Sequence, residues 1–174
     1  MKQNWRTSFE RVIKSEGGYV NDPHDHGGET NWGVTRAAWG EYLGRPIHDG
    51  EMRSLLVEAV EPFYKDRYWN VCRCDELPSG IDYVVFDLAV NAGPGRAIRF
   101  LQRSVGAVED GVLGPKTMAA VASANPAQVL ERFTEAKQAF YRGIVKREPS
   151  QQRFINGWLA RVDQVHDAAA TMIA

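Results

Sequence analysis

A short amphipathic helix that ends on two glycines constrains the fold more than any other part of the sequence. Phe9, Val12 and Ile13 recur at helical spacing, and Glu16 continues the same face. The next residue, Gly17, begins a Gly-Gly pair, and glycine readily adopts the left-handed conformation that closes a helix. The pattern therefore predicts a carboxylate on the apolar side of the last helical turn.

An acid in that position is expected to hold its proton more readily than an exposed one. Desolvation disfavours the charged form, and so does the negative end of the helix dipole. A carboxylic acid that is protonated near neutral pH is what general acid catalysis requires. The alternative interpretation of Glu16 is a surface glutamate at a frayed helix end, with no catalytic role.

The loop after this helix supplies the other polar groups of a candidate site. Asp25 and Thr30 follow Glu16 by nine and fourteen residues. An acid on a helix end, with a second carboxylate on a following turn, is the arrangement that glycoside hydrolysis requires. We expect Asp25 to activate or position a water molecule and Thr30 to help orient it. Asp22 and Glu29 are alternatives for the second carboxylate.

The run EGGYVNDPHDHGGETNWGVT, which begins at Glu16, resembles the signature of glycoside hydrolase family 108. These N-acetylmuramidases include phage endolysins and secretion-associated muramidases of bacteria. A later run, from Tyr68 to Thr117, looks like the predicted peptidoglycan-binding segment of the same family. The resemblance implies that Glu16, the glutamate of the EGGY motif, is the catalytic acid. The Glu-x8-Asp-x4-Thr spacing is also similar to that of phage-type lysozymes, in which the gap before the threonine is one residue longer.

Aromatic and amide side chains are the further candidates for substrate binding. Aromatic rings often form an apolar platform for sugars, and Trp32, Tyr68 and Trp69 are placed to do so, with Asp22 in the loop as a polar partner. Asn91 precedes a Gly-Pro-Gly turn. It either ties down this turn or, as the resemblance implies, faces the cleft.

Helical periodicity dominates the rest of the chain. One helix is expected from about Arg53 to Tyr68, with Leu56 on its apolar stripe and a kink or break at Pro62. The Gly-, Asp- and Asn-rich segment from Tyr19 to Thr35 predicts a loop with a short hairpin. The sequence therefore predicts a mostly α fold with a small β-hairpin after the first helix, and the resemblance adds that the fold is lysozyme-like.

Length and composition fit a globular protein with one core, and the expected glycosidase chemistry implies no cofactor. The 174 residues are 44% hydrophobic, enough for one core. We expect a muramidase segment over residues 1–70 and a helical peptidoglycan-binding segment over residues 71–174, sharing that core. Cys72 and Cys74 are expected to be reduced thiols, and no Cys or His pattern of a metal site is present. A net charge of −1 argues against nucleic acid as a partner.

The N-terminus shows no apolar stretch typical of a signal peptide, and the sequence contains no run long enough for a transmembrane helix. We therefore expect a monomer that accumulates in the cytoplasm and acts on the periplasmic cell wall after release. A holin or another export route would have to release it.

The resemblance implies the function of a lysozyme: cleavage of the β-1,4 bond between N-acetylmuramic acid and N-acetylglucosamine, with a phage endolysin as the expected setting. One alternative is a bacterial muramidase that remodels the wall for protein or toxin secretion. Another is a lytic transglycosylase, which needs one acid and no water, so the second carboxylate argues against it. A non-catalytic wall-binding module would need no buried acid.

Overall fold

The structure, a computed structural model, describes residues 4–21 and 28–173. Within these ranges it contains eight α-helices and one two-stranded antiparallel hairpin, which confirms the predicted fold class. None of the described helices is long and apolar enough to span a membrane. The elements are α1 (Trp5–Glu16), β1 (Thr30–Asn31), β2 (Val34–Thr35), α2 (Arg36–Leu43), α3 (Val57–Tyr64), α4 (Ile81–Ala92), α5 (Pro94–Ser104), α6 (Pro115–Ser123), α7 (Pro126–Arg147) and α8 (Ile155–Ile173).

The chain divides into two compact units. Residues 6–67, here called the hairpin unit, contain most of α1, the hairpin, α2 and α3. Residues 68–174 together with the first five, here called the helical unit, contain α4 to α8. The division into a muramidase segment over residues 1–70 and a peptidoglycan-binding segment over residues 71–174 remains a prediction.

Helix α1 ends where the sequence predicts. Phe9, Val12 and Ile13 are buried, Glu16 is the last helical residue, and Gly17 follows with φ of 79°. The helix begins at Trp5, which lies one turn before Phe9 and is also buried.

Helix α3 is shorter than the predicted helix, and this corrects the prediction. Leu56 precedes it in an extended conformation and is 68% exposed, so it is not part of the buried stripe. Pro62 lies inside α3 without breaking it, and a π-helical segment follows at Lys65–Trp69. The buried residues of α3 join an aromatic cluster with α1 and α2, in which Phe63 and Tyr64 contact Phe9, Trp39 and Tyr42.

Helix α4 forms the centre of the helical unit, as its apolar periodicity predicts, and residues 81–89 are all buried. Ion pairs between its Asp87 and two other helices are unexpected. The Asp87 carboxylate lies 2.5 Å from Nζ of Lys137 on α7 and 3.0 Å from Nη2 of Arg161 on α8. This buried ionic cluster ties three helices together.

Cys72 and Cys74 are free thiols and are fully buried. Burial raises the pKa of the Cys74 thiol well above its ordinary value, and a hydrogen bond with Cys72 adds to the shift. No group of three or more potential metal ligands occurs within residues 4–21 and 28–173.

Candidate active site

The carboxylate of Glu16 lies against the tip of the β-hairpin. Glu16 is half-buried at the end of α1. A Cβ atom placed on Gly33 would come within 2.9 Å of Oε2 of Glu16 and within 2.6 Å of Oη of Tyr64. Gly33 therefore lies between these two side chains. The contact does not fit a glutamate at a frayed and solvated helix end.

The backbone of the hairpin tip has an unusual conformation. Asn31 pairs with Val34, so Trp32 and Gly33 form a two-residue turn. Both have positive φ, 51° for Trp32 and 73° for Gly33, which is the pattern of a type I′ turn. A bulky residue such as tryptophan rarely adopts this conformation, which costs roughly 1–2 kcal/mol.

Hydrogen bonds of 2.7–2.8 Å hold the turn in place. Nε1 of Trp32 donates to the Leu55 carbonyl at 2.8 Å, and Oη of Tyr64 donates to the Trp32 carbonyl at 2.7 Å. Nδ2 of Asn31 donates to the Met52 carbonyl at 2.7 Å. These bonds offset the backbone strain and fix the turn beside the acid. The half-buried indole of Trp32, predicted as a sugar platform, is thus anchored at its nitrogen.

The predicted threonine lies at the start of the hairpin. Thr30 opens β1, is half-buried, and pairs through its backbone with both Thr35 and Val20. Its hydroxyl donates to the Gly28 carbonyl over a long distance of 3.4 Å. The structure therefore places Thr30 on the same hairpin that carries Gly33 at its tip.

Glu29, an alternative for the second carboxylate, has a structural role. Its Oε1 accepts a hydrogen bond from Tyr19 at 2.8 Å, and its Oε2 pairs with Arg36 at 2.8 Å. The side chain is only 14% exposed. Arg36 also donates to the Ile47 carbonyl and to Asp49, so the cluster ties the hairpin to the loop after α2. A carboxylate with both oxygens engaged is poorly suited to activate water.

Asp25, predicted to activate the water, lies outside the described residues, and so does Asp22. Their roles remain predictions. Tyr19 and Arg36 occupy both carboxylate oxygens of Glu29, which argues against Glu29 as the second carboxylate. Asp25 stays the predicted residue and Asp22 the alternative.

The remaining predicted residues belong to the helical unit. Trp69 is 0% exposed, packs edge-on against Trp5 and Phe86, and donates from Nε1 to Asp75 at 3.1 Å. This burial contradicts its predicted role as a sugar platform, since no face of the ring is accessible. Tyr68 is half-buried and stays a candidate.

Asn91 is exposed, and its amide donates to the Asp87 carbonyl one helical turn earlier, at 2.6 Å. This bond lies within α4, so both predicted roles of Asn91, at the following turn and toward a cleft, stay predictions.

Tyr64 is the residue that sequence reasoning missed. Its position on an apolar stripe predicts only a core residue, and its ring is indeed buried. Its hydroxyl group could have indicated its role, because a buried tyrosine, unlike a phenylalanine, needs a hydrogen-bond partner. That partner is the backbone beside the catalytic candidate.

Comparison with known proteins assigns this chain to a family. Residues 9–93 match the family model described as glycosyl hydrolase 108. The solved structure of SagA from Brucella abortus has a TM-score of 0.85 and is 34% identical in sequence, and the match covers 99% of this chain and 97% of that one. The chain belongs to glycosyl hydrolase family 108. As a family 108 protein it is a glycoside hydrolase that acts on peptidoglycan.

A second model, described as a predicted peptidoglycan domain, matches residues 96–163 of this family 108 hydrolase. It supports peptidoglycan as the substrate. No curated protein matches the chain.

Proposed function

We propose that this family 108 hydrolase is an N-acetylmuramidase, which cleaves the β-1,4 bond between N-acetylmuramic acid and N-acetylglucosamine. The observation that carries the proposal is the setting of Glu16. It is the last residue of α1, half-buried, and in contact with a turn that hydrogen bonds hold rigidly.

In the proposed mechanism, Glu16 protonates the glycosidic oxygen as the bond to the departing sugar breaks. The sugar ring that remains develops oxocarbenium character, and a water molecule attacks it. Asp25 takes a proton from this water, and Thr30 orients it. The hydrogen-bonded turn at Gly33 keeps the carboxyl group of Glu16 in place. General acid catalysis needs such placement, because the carboxyl group must lie within hydrogen-bond reach of the leaving oxygen.

The substitution Glu16→Gln tests the acid. The amide is close in size to the acid but cannot supply the proton, so we expect a loss of about a hundredfold to ten-thousandfold in rate with an unchanged melting temperature. Glu10→Gln, on an exposed face of the same helix, is the matched control and should retain activity. A Glu16→Gln protein that melts normally and keeps more than about a tenth of the rate would refute the mechanism.

The products test the bond and the role of water. Hydrolysis leaves a reducing N-acetylmuramic acid, which mass spectrometry of released muropeptides identifies. Products with 1,6-anhydromuramic acid would instead indicate a lytic transglycosylase. Asp25→Asn should reduce the rate severely and Asp22→Asn only mildly; the reverse result would reassign the second carboxylate to Asp22.

The biological setting is part of the proposal. We infer a monomer that accumulates in the cytoplasm and reaches the wall through a holin or another export route, as a phage endolysin does. The nearly full-length similarity to a Brucella protein favours a second candidate, a bacterial muramidase that remodels the wall for secretion. If the protein lyses cells when it is expressed alone, with the inner membrane intact, it does not need a holin. The neighbouring genes, holin or secretion components, separate the two settings.

A further inference from the structure

A cavity in the helical unit has none of the residues predicted for catalysis among its described lining residues. It has a volume of about 710 Å³ and is formed by the loop after α5 and the first turns of α6. All of its lining lies within residues 106–120, inside the segment that matches the predicted peptidoglycan domain. The fold and the proposed mechanism give this cavity no role.

The lining of the cavity combines apolar surface with one charge of each sign. Val108 and Val112 are 79% and 63% exposed, among the most exposed large apolar side chains of the described residues. Lys116 provides a cation and Asp110 an anion. Hydrogen bonds from Gln102 and the backbone of Val112 lower the pKa of Asp110, so this carboxylate stays ionised.

A buried glutamine holds the shape of the cavity. Gln102 of α5 is fully buried, and its Nε2 donates to Asp110 at 2.6 Å, to the Val112 carbonyl at 3.0 Å and to the Thr117 hydroxyl at 3.3 Å. Its Oε1 accepts from the Gly111 amide at 2.9 Å. The loop is therefore preorganised, which lowers the entropic cost of binding a ligand.

We propose that this cavity binds the stem peptide of peptidoglycan. A stem peptide carries alanine methyl groups, carboxylates and, in walls with a diamino acid, an amine. The exposed valines complement the methyl groups, Lys116 complements a carboxylate, and Asp110 complements the amine. No aromatic ring lies among the described lining residues, which argues for peptide rather than sugar. The proposal rests on peptidoglycan as the substrate, but not on which bond is cleaved.

Binding can be tested without cleavage in full-length protein that carries Glu16→Gln. The probe is a stem tetrapeptide released from peptidoglycan by an amidase, and the comparison ligand is the peptide-free glycan from the same digest. In NMR titrations we expect the tetrapeptide to shift the amide signals of Val108, Val112 and Lys116. Lys116→Gln should weaken this binding roughly twofold to fivefold, as expected for loss of one solvent-exposed ion pair.

The matched control is Lys146→Gln, which removes an exposed lysine of α7 outside the cavity and should leave the affinity unchanged. Absence of shifts at the cavity, or equal shifts with peptide-free glycan, would overturn the proposal. So would equal weakening by both lysine variants. The titration of the unaltered cavity gives an answer even where a variant fails to fold. Because the tetrapeptide contains no glycosidic bond, a failed titration is distinct from a failed muramidase assignment.

Discussion

Replacing Gly33 by alanine should disturb the acid directly. The new Cβ would lie 2.6 Å from Oη of Tyr64 and 2.9 Å from Oε2 of Glu16, whereas ordinary contact begins at 3.4 Å. The Glu16 carboxylate is the end of a flexible side chain and can move. The Tyr64 hydroxyl terminates a buried ring and donates to the Trp32 carbonyl, so it can move only if that bond is lost.

The size of the effect follows from two contributions. At φ of 73°, alanine costs about 1–2 kcal/mol relative to glycine. Loss of the buried bond from Tyr64 adds about 1–3 kcal/mol. We therefore expect Gly33→Ala to lower the free energy of unfolding by about 2–5 kcal/mol. A displacement of Glu16 by about 1 Å should also lower the catalytic rate by about a hundredfold.

Gly44→Ala is the matched control, because the chain offers the same backbone strain without the contact. Gly44 has φ of 66° and no atom within 4 Å of its Cβ position. It should lose about 1–2 kcal/mol and retain activity. The assays are urea unfolding and loss of turbidity of permeabilised cells, run on both variants. If Gly33→Ala matches Gly44→Ala in both measurements, the hairpin tip does not position the acid.

Two further predictions concern ionic contacts. Asp87→Asn should lower the free energy of unfolding by about 3–5 kcal/mol, because Lys137 and Arg161 lose their buried counter-ion; a loss below about 1 kcal/mol in urea unfolding would contradict this. Hydrogen bonds from Arg45 lower the pKa of Glu51 to about 2 from an ordinary 4.5, so the pair contributes stability above pH 4.5 that is lost as pH falls toward 2. NMR titration of the Glu51 carboxyl group should show that Arg45→Gln raises its midpoint toward 4.5; an unchanged midpoint would assign the shift to other causes.

Features that depend on local pattern could be predicted from the sequence. The end of α1 at Glu16 follows from apolar spacing and a glycine pair. The start of α7 follows from Asn125, whose side chain accepts from the amides of Ala127 and Gln128 as an N-cap does. The burial of α4 follows from a nearly continuous apolar run. Each signal lies within a few residues of the feature that it predicts.

Features that depend on distant contacts could not be predicted. The sequence predicts that Trp69 is an exposed aromatic residue at a helix end. Its ring is inaccessible because it packs against Trp5 and Phe86. The left-handed conformation of Trp32 opposes its intrinsic preference, and hydrogen bonds to residues more than twenty positions away sustain it. The placement of Gly33 against Glu16 likewise follows from the turn and not from either residue alone.

The proposed export would take the protein from a reducing compartment to an oxidising one. The burial of Cys72 and Cys74 affects whether their thiols would be oxidised there. The fold holds with both cysteines free. Burial disfavours the thiolate of Cys74, which is the form that reacts with oxidants and attacks disulfides. Oxidation would therefore have to wait for local opening of the core. The enzyme can keep one covalent structure on both sides of a membrane, with no disulfide to form or rearrange on arrival at the wall.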